Sequence, residues 1–248
     1  MKAAIGQFAV AADASINAQT CLQWMAKARA AGADLLVLPE GVLARDIADP
    51  DLVRRAAQPL DGEFVTALRE ASRGNNLTTM MTVHVPATAD GKVWNVLIAL
   101  RDGEIIAEYK KIHLYDAFSV KESTNVVPGN EVPPLVDVCG LKVGLMTCYD
   151  VRFPELARRL TLDGADVLVL PAAWVRGPLK EAHWETLCTA RALENTCYLV
   201  ASGECGPRNI GASMVVDPLG VIVARAAEAP AFLLVDLDPA RIAEARRV

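Results

Sequence analysis

The 248-residue sequence predicts an α/β protein in which two sheets pack face to face, helices cover their outer faces, and one half of the chain echoes the other. Two observations carry this. Short apolar runs of strand length alternate along the chain with stretches whose apolar residues recur at helical spacing. In addition, Gly32-Ala33-Asp34-Leu35-Leu36-Val37-Leu38-Pro39 closely matches Gly164-Ala165-Asp166-Val167-Leu168-Val169-Leu170-Pro171. Each is preceded by a helix and, before that, by a strand that begins at a lysine, Lys2 or Lys142. Two apolar strands can agree by chance, but agreement in both the Gly-Ala-Asp start and the proline exit argues for a weak internal symmetry. The unbroken apolar runs suit strands buried on both faces, where neither face meets water.

Taken in order, residues 2–10 read as a strand and 17–31 as a helix, with Leu22, Met25, Ala26 and Arg29 spaced for one face and Gly32 as its stop. Residues 34–39 form a buried strand, and 62–74 a helix. Strands follow at 77–85, 93–101 and 104–110, with Asp102-Gly103 as the hairpin turn between the last two. Residues 141–147 are a strand, and 154–163 a helix whose Pro154 suits a first turn, where its missing N–H would be unpaired anyway. A strand at 167–170, a helix at 183–195 and strands at 198–202, 212–217 and 222–225 complete the chain, with Asp217-Pro218-Leu219-Gly220 as a turn. No linker, low-complexity segment or composition shift divides it, so a single domain over residues 1–248 is expected.

Composition narrows the function. Apolar residues make up 52% and charged residues 22%, ordinary for a globular protein with a sizeable core. The net charge of −5, with no basic stripe, argues against nucleic acid or an anionic membrane as partner. Met1-Lys2 precedes an apolar stretch, as in a signal peptide, but the stretch is short, contains Gly6 and Gln7, and lacks a leucine-rich core. No run approaches the roughly 18 apolar residues of a membrane span. The six cysteines form no C-x-x-C pair and meet no histidine at zinc-finger spacing, so free thiols in a reducing cytoplasm are expected.

Three reactive side chains sit where buried strands end: Glu40 after DLLVLP, Lys111 after IIAEY, and Cys148 after KVGLMT. Strand ends and the loops beyond them are where layered α/β proteins build sites. Singly, each has a bland reading, as a helix cap, a surface cation and a core thiol. Together they make chemical sense if neighbouring strands bring them into one crevice. A carboxylate can take the proton that keeps a thiol a poor nucleophile, and an ammonium stabilises thiolate and oxyanion alike. The turn after Cys148 leads into a helix, which offers the N–H of Tyr149 to an oxyanion.

These segments resemble the nitrilase superfamily, which is recognised by a glutamate after a strand ending in proline, a lysine in an R/K-K-x-H-L segment, and a cysteine followed by an aromatic or acidic residue and aspartate. The chain has LPEG around Glu40, YKKIHLYD around Lys111 and GLMTCYDVRFPEL around Cys148. KESTNVVPGN looks like the loop that carries the family's second glutamate, here Glu122. The resemblance runs over residues 2–239 and is nearest to the branch of bacterial deaminated glutathione amidases, relatives of omega-amidases, through LPEGVLARD, HLYDAF, PAAWVRGPLKEAHW and ASGECG. It implies a four-layer α-β-β-α sandwich with two mixed sheets and internal pseudo-symmetry, dimerised or further assembled through outer helices. It further implies hydrolysis of a terminal carboxamide on a small α-keto acid, deaminated glutathione foremost, through a cysteinyl thioester with release of ammonia and no metal or organic cofactor, with Glu40, Lys111, Cys148 and Glu122 as catalytic residues. Relatives usually continue into a C-terminal tail that helps to hold the dimer, whereas this chain stops at Val248, which puts the stability of the oligomer in question.

An α-keto acid needs a cation, ideally a planar bidentate one. Arg152 is the first candidate, with capping or pairing to Glu155 as its bland alternative; Arg176 and Lys180 come next, and Trp174 is a candidate pocket wall or packing residue. His84 reads as a satisfied structural histidine, His113 as a loop-orienting hydrogen bonder, and His183, Trp184, Leu187, Arg191 and Glu194 as a packing or dimer stripe. Gly203-Glu204-Cys205-Gly206 is a weaker substrate-loop candidate. Omega-amidase, nitrilase and N-carbamoyl amidase readings keep the same site and change the substrate. A non-catalytic interaction module is the reading from another class, and the presence of all four signature residues argues against it.

Overall fold

In the computed structural model, which describes residues 1–87, 90–118 and 120–247, the first half of the chain lays down β1 (Lys2–Gln7), α1 (Ala14–Ala30), β2 (Leu35–Val37), the single turn α2 (Leu52–Arg55), α3 (Glu63–Ser72), β3 (Thr78–Pro86), β4 (Val93–Arg101) and β5 (Glu104–Lys110). A small hairpin, β6 (Asp116–Ala117) and β7 (Val120–Lys121), and a 3-10 turn at Glu122–Thr124 lead to the second half. That half comprises β8 (Val136–Val138), β9 (Leu141–Leu145), a 3-10 turn at Cys148–Arg152, α4 (Pro154–Leu162), β10 (Val167–Ala172), α5 (Lys180–Asn195), β11 (Tyr198–Gly203), β12 (Met214–Val216) and β13 (Ile222–Arg225). The chain returns to the first sheet with β14 (Ala231–Asp236) and then forms α6 (Pro239–Ala245).

Two six-stranded mixed sheets result, ordered β14-β1-β2-β3-β4-β5 and β13-β12-β11-β10-β9-β8. The period-2 alternation of a strand divides their side chains between two cores. Ala3, Ile5, Leu35, Val37 and Met80 face inward onto Val143, Leu145, Val167 and Val169 of the other sheet, while Ala4, Leu36, Leu38 and Met81 face outward beneath Cys21, Met25, Phe64 and Leu68 of α1 and α3. Helices α4 and α5 cover the outer face of the second sheet against β9, β11 and β12. This is the α-β-β-α sandwich. Among the described residues, no helix is long and apolar enough to cross a membrane.

The internal symmetry is real and has a mechanism. In the first sheet β1, β2 and β3 are parallel and β4 and β5 antiparallel; β9, β10, β11, β12 and β13 repeat that pattern in the second. The two Gly-Ala-Asp segments act as the same lock. Asp34 accepts from the Lys2 N–H at 2.7 Å and Asp166 from the Lys142 N–H at 3.2 Å, while their own N–H groups donate to the Lys2 and Lys142 carbonyls, both at 2.8 Å. Their carbonyls accept from the next parallel strand, at Thr78 N (2.9 Å) and Tyr198 N (3.0 Å). Each aspartate thus fixes the register of three strands.

Several sequence expectations are corrected. The buried stripe of α1 is Asn17, Cys21, Met25 and Ala28; Ala26 and Arg29 are exposed and Leu22 only half-buried. Asn17 sets this rotation, because its amide donates to the carbonyls of Ala11 (2.8 Å) and Leu43 (3.1 Å) and accepts from Ala11 N (2.8 Å). Elements β6, β7, β8, β14 and α6 had no clear sequence signal. The strand β14 is legible only as the partner that β1 lacks, since its own residues are half-exposed. Val248 lies outside the described residues.

Candidate active site

Glu40, Lys111 and Cys148 are carried to one place by both sheets, not by neighbouring strands: Glu40 follows β2, Lys111 follows β5 three strands along the same sheet, and Cys148 follows β9 in the facing sheet. Glu40 stands in a turn held against β3, where Gly41 N donates to Thr82 Oγ1 at 2.7 Å and Val42 N to the Thr82 carbonyl at 3.0 Å. Gly41 has φ +68°, and a Cβ there would stand 2.5 Å from Arg45 Cδ, so this turn requires glycine. Lys111 N extends the β4–β5 ladder by donating to the Asn95 carbonyl at 2.9 Å. Gly129 N straps the same segment through the Lys111 carbonyl at 2.8 Å, so closely that a Cβ on Gly129 would lie 2.1 Å from Lys110 O. Cys148 adopts φ +45°, a conformation that costs a non-glycine residue on the order of 1–3 kcal/mol and is typical of functional turns.

The carboxylate of Glu40 is the hub. Its Oε1 accepts from Lys111 Nζ at 2.9 Å and from Asn95 Nδ2 at 2.8 Å, and its Oε2 from the Ala173 N–H at 2.9 Å. Lys111 is 2% exposed and also donates to Glu122 at 2.9 and 3.1 Å, so it is no surface cation. Glu122 is held in turn by the Tyr115 N–H at 2.6 Å. Burial works to raise the Glu40 carboxyl, but Lys111, Arg45 and the hydrogen bonds from Lys111 and Cys148 outweigh it and hold the group down to about 2. Burial works to lower the Lys111 ammonium; Glu122 and Glu40 outweigh that and keep it charged well past the usual lysine range. Burial and the Glu40 charge push the Cys148 thiol well up, partly opposed by Lys111 and by the Ala173 N–H. At rest the sulfur therefore keeps its proton and the adjacent carboxylate lacks one.

The four side chains line one cavity of about 390 Å³, a size suited to a small molecule. The carbon-nitrogen hydrolase family matches residues 2–247 of the chain. The chain belongs to that family. Deaminated glutathione amidase of Escherichia coli O157:H7 is 54% identical over 99% of this chain and 94% of its own length. The Caenorhabditis elegans NitFhit protein superposes with a TM-score of 0.91 at 32% identity over 99% of this chain, which spans 62% of that longer one. An amidase from Nesterenkonia sp. AN1, in a glutamate-to-glutamine variant that shows Michael addition of acrylamide at its active site cysteine, superposes with a TM-score of 0.85 at 27% identity over 100% of this chain and 98% of its own. This carbon-nitrogen hydrolase is accordingly an amide-hydrolysing enzyme of the nitrilase superfamily.

The remaining sequence candidates of the hydrolase have different fates. Tyr149 lies in the 3-10 turn after Cys148 and packs its ring edge-on against Tyr115 (5.1 Å) and Phe153 (5.4 Å). The main-chain N–H found beside both sulfur and carboxylate is that of Ala173. Arg152 does not pair with Glu155: its guanidinium lies 5.2 Å from the Trp174 ring centroid and 5.8 Å from that of Tyr149, with Nη2 3.3 Å from His183 Nδ1, and neither it nor Lys180 lines the cavity directly. Trp174 is fully packed, donating its indole N–H to the Lys180 carbonyl at 2.9 Å, and it does not line the cavity itself. Arg176 is exposed at the surface and faces Glu181 at 3.7 Å, which removes it from the cavity wall.

Other residues emerge only from the structure. His84, expected to be a satisfied structural histidine, lines the cavity with its buried Nδ1 unpartnered among the described residues; burial and Arg45 push it down to about 3, so it is neutral. Arg45, within LPEGVLARD, lies 4.0 Å from Glu40 Oε2 and 3.7 Å from Glu204 Oε2. Asp150 is completely buried and joins the two sheets at the site: it accepts from Thr147 N (2.8 Å) in the cysteine turn, and from Tyr109 Oη (2.8 Å) and His113 N (3.2 Å) around Lys111. His113 Nδ1 also meets Asp150 at 2.7 Å, which is the loop-orienting hydrogen bond expected of it. The spacing of Cys148-Tyr149-Asp150 was a visible signal, but not the partners of Asp150.

Proposed function

We propose that this hydrolase cleaves the amide bond of a small α-keto acid, deaminated glutathione foremost, through a thioester on Cys148. The reading rests on one observation above all: a buried thiol shares its cavity with a carboxylate that Lys111, Asn95 and the Ala173 N–H hold ionised and oriented, and that charge helps to keep the thiol protonated. Glu40 takes the thiol proton as Sγ attacks the amide carbon and the carbonyl π pair moves onto oxygen. Lys111 and the Tyr149 N–H stabilise that oxygen; losing one such donor typically costs on the order of a hundredfold in rate. As the tetrahedral centre collapses, the C–N bond breaks and Glu40 returns its proton to the departing nitrogen. Water then attacks the thioester, giving its proton to Glu40, and Sγ leaves and takes that proton back. Glu122 holds Lys111 in place throughout.

The leaving group follows from the substrate. Ammonia departs from a primary carboxamide; from the 2-oxo analogue of glutathione, whose γ-amide is secondary, cysteinylglycine departs through its amine. Arg152 takes the α-keto carboxylate, with Trp174 behind it as a stacking support rather than a wall; Arg176 plays no part. The name borne by the Escherichia coli relative supports this substrate over the omega-amide, nitrile and N-carbamoyl alternatives. The same reading takes residues 1–248 as one cytoplasmic domain that assembles as a homodimer or larger through α4 and α5, where Leu162 and Leu193 are 77% and 53% exposed.

The test is mass spectrometry of the protein mixed with the 2-oxo analogue of glutathione, a five-carbon α-keto ω-amide, a nitrile and a carbamoyl amino acid. An acyl adduct on Cys148 with turnover fastest for the first supports the proposal. Adducts on another cysteine, or fastest turnover of the nitrile or carbamoyl compound, would overturn it.

A further inference from the structure

Outside the Glu40 cluster, Lys180 is a buried cation with no carboxylate partner among the described residues. It is the first residue of α5 and only 4% exposed. Its ammonium donates to Tyr115 Oη at 2.9 Å and stands 4.8 Å from the ring centroids of Tyr115 and Phe118 and 4.9 Å from that of Trp174. The ion pairs of the described residues include neither Lys180 nor its cationic neighbour Arg152.

Three terms oppose a cation here. Burial strips its water, Arg152 repels it, and it sits at the N-terminal end of a 16-residue helix, where the peptide dipoles already present positive charge. Aromatic faces and one hydroxyl return only part of that cost. Arg152 shares the Trp174 ring and keeps a buried Nε with no partner among the described residues. Two cations packed around one indole without a carboxylate are an arrangement that an incoming anion would relieve on all three counts. The position communicates with the cavity through Tyr115, which lines it beside Glu122 and Cys148.

We propose that Lys180, presented through Tyr115, is the selectivity determinant of an anionic subsite shared with Arg152, and that this subsite demands a carboxylate on the amide substrate. The proposal deepens the α-keto acid reading and rests on it. Lys180 binds and orients; it takes no proton in the reaction. A lysine is suited to this place because its compact ammonium fits between three rings while its stem stays packed.

The experiment compares kcat/KM for the monoamide of glutaric acid with that for pentanamide, its uncharged counterpart of equal length, in the wild type, Lys180→Met and Lys180→Arg. Lys180→Met should cut the preference for the charged amide roughly tenfold, chiefly through KM, and Lys180→Arg should restore part of it. A parallel measurement needs no turnover: glutarate should slow the alkylation of Cys148 by iodoacetamide, and Lys180→Met should weaken that protection about tenfold. A wild type with no preference for the charged amide and no protection by glutarate would sink the α-keto acid reading and the subsite together. A wild-type preference and protection that both survive Lys180→Met within about threefold would sink the subsite alone.

Discussion

The two halves of the sandwich use the same strand–helix–strand frame for opposite purposes at their open end. At the base of each frame Asp34 and Asp166 make equivalent locks. At the top, the segment that leaves β2 presents the side chain of Glu40, and the one that leaves β10 presents only the main chain of Ala173, whose N–H donates to Glu40 at 2.9 Å. The exits of β1 and β9 differ in the same way. Gln7 at the end of β1 is spent on structure, donating to the Ala227 and Ala229 carbonyls, both at 2.6 Å, whereas the chain beyond β9 turns sharply to present Cys148. A symmetric scaffold thus builds an asymmetric site, because strand register depends on the base of each unit and chemistry depends on its exit.

That contrast is open to attack, beginning with the largest effect. Cys148→Ala should lower amide hydrolysis by roughly 10⁴-fold or more, in line with loss of a nucleophile, while circular dichroism melting shows the fold retained; activity within tenfold of wild type would refute the assigned nucleophile. Lys111→Met should abolish activity and also destabilise the protein by about 3–5 kcal/mol, since it leaves the buried Glu40 and the half-buried Glu122 without their shared cation. Urea unfolding measures this, and a loss below about 1 kcal/mol would mean that the ammonium is not the electrostatic keystone of the site.

A purely pH-dependent effect is expected from His84. Its pKa falls from 6.5 when unfolded to about 3 in the native protein. Between those values the unfolded chain binds the extra proton, so stability is complete above pH 6.5 and falls by up to about 1.4 kcal/mol per pH unit as the solution is acidified towards pH 3. The difference in unfolding free energy between wild type and His84→Asn should therefore change with pH across that window and level off above it; a constant difference would show that His84 ionises normally. The Glu40 carboxylate, held down to about 2 from 4.5, adds a loss of the same sign, confined to the lower range between those two values.

The smallest effects should fall on the frame. Asp34→Ala and Asp166→Ala should each cost on the order of 1–3 kcal/mol through lost and orphaned hydrogen bonds, with Asp166 the greater because its carboxylate also meets Arg246 at 3.0 Å. Both variants should keep near-normal kcat once folded. A selective collapse of kcat in either would mean that base and exit are not separable.

Much of the site was legible because chemistry-bearing residues fall directly after apolar strands. Glu40, Lys111 and Cys148 were found in this way and Glu122 through the family resemblance of KESTNVVPGN, and all four line one cavity. Arg45, Asn95, Asp150 and Ala173 were not, since their roles depend on partners that only folding brings near, as with Asp150 and His113, 37 residues apart, or on the main chain, as with Ala173 and Glu40. The outward face of α1 was misread for a related reason. Periodicity fixes how apolar residues are spaced around a helix, and a buried amide such as Asn17 can still turn that helix to bury a neighbouring stripe.

From the sequence alone came the alternation of elements, the duplicated Gly-Ala-Asp unit and the identity of the reactive residues, because local spacing and residue chemistry are properties of the chain itself. Only the tertiary structure decided that the site is shared between two sheets and that Glu40 is held ionised against its burial. It also decided that Trp174 supports two cations rather than walling a pocket. Those outcomes depend on distances between groups remote in sequence and on the loss of water around them, and neither exists until the sheets close.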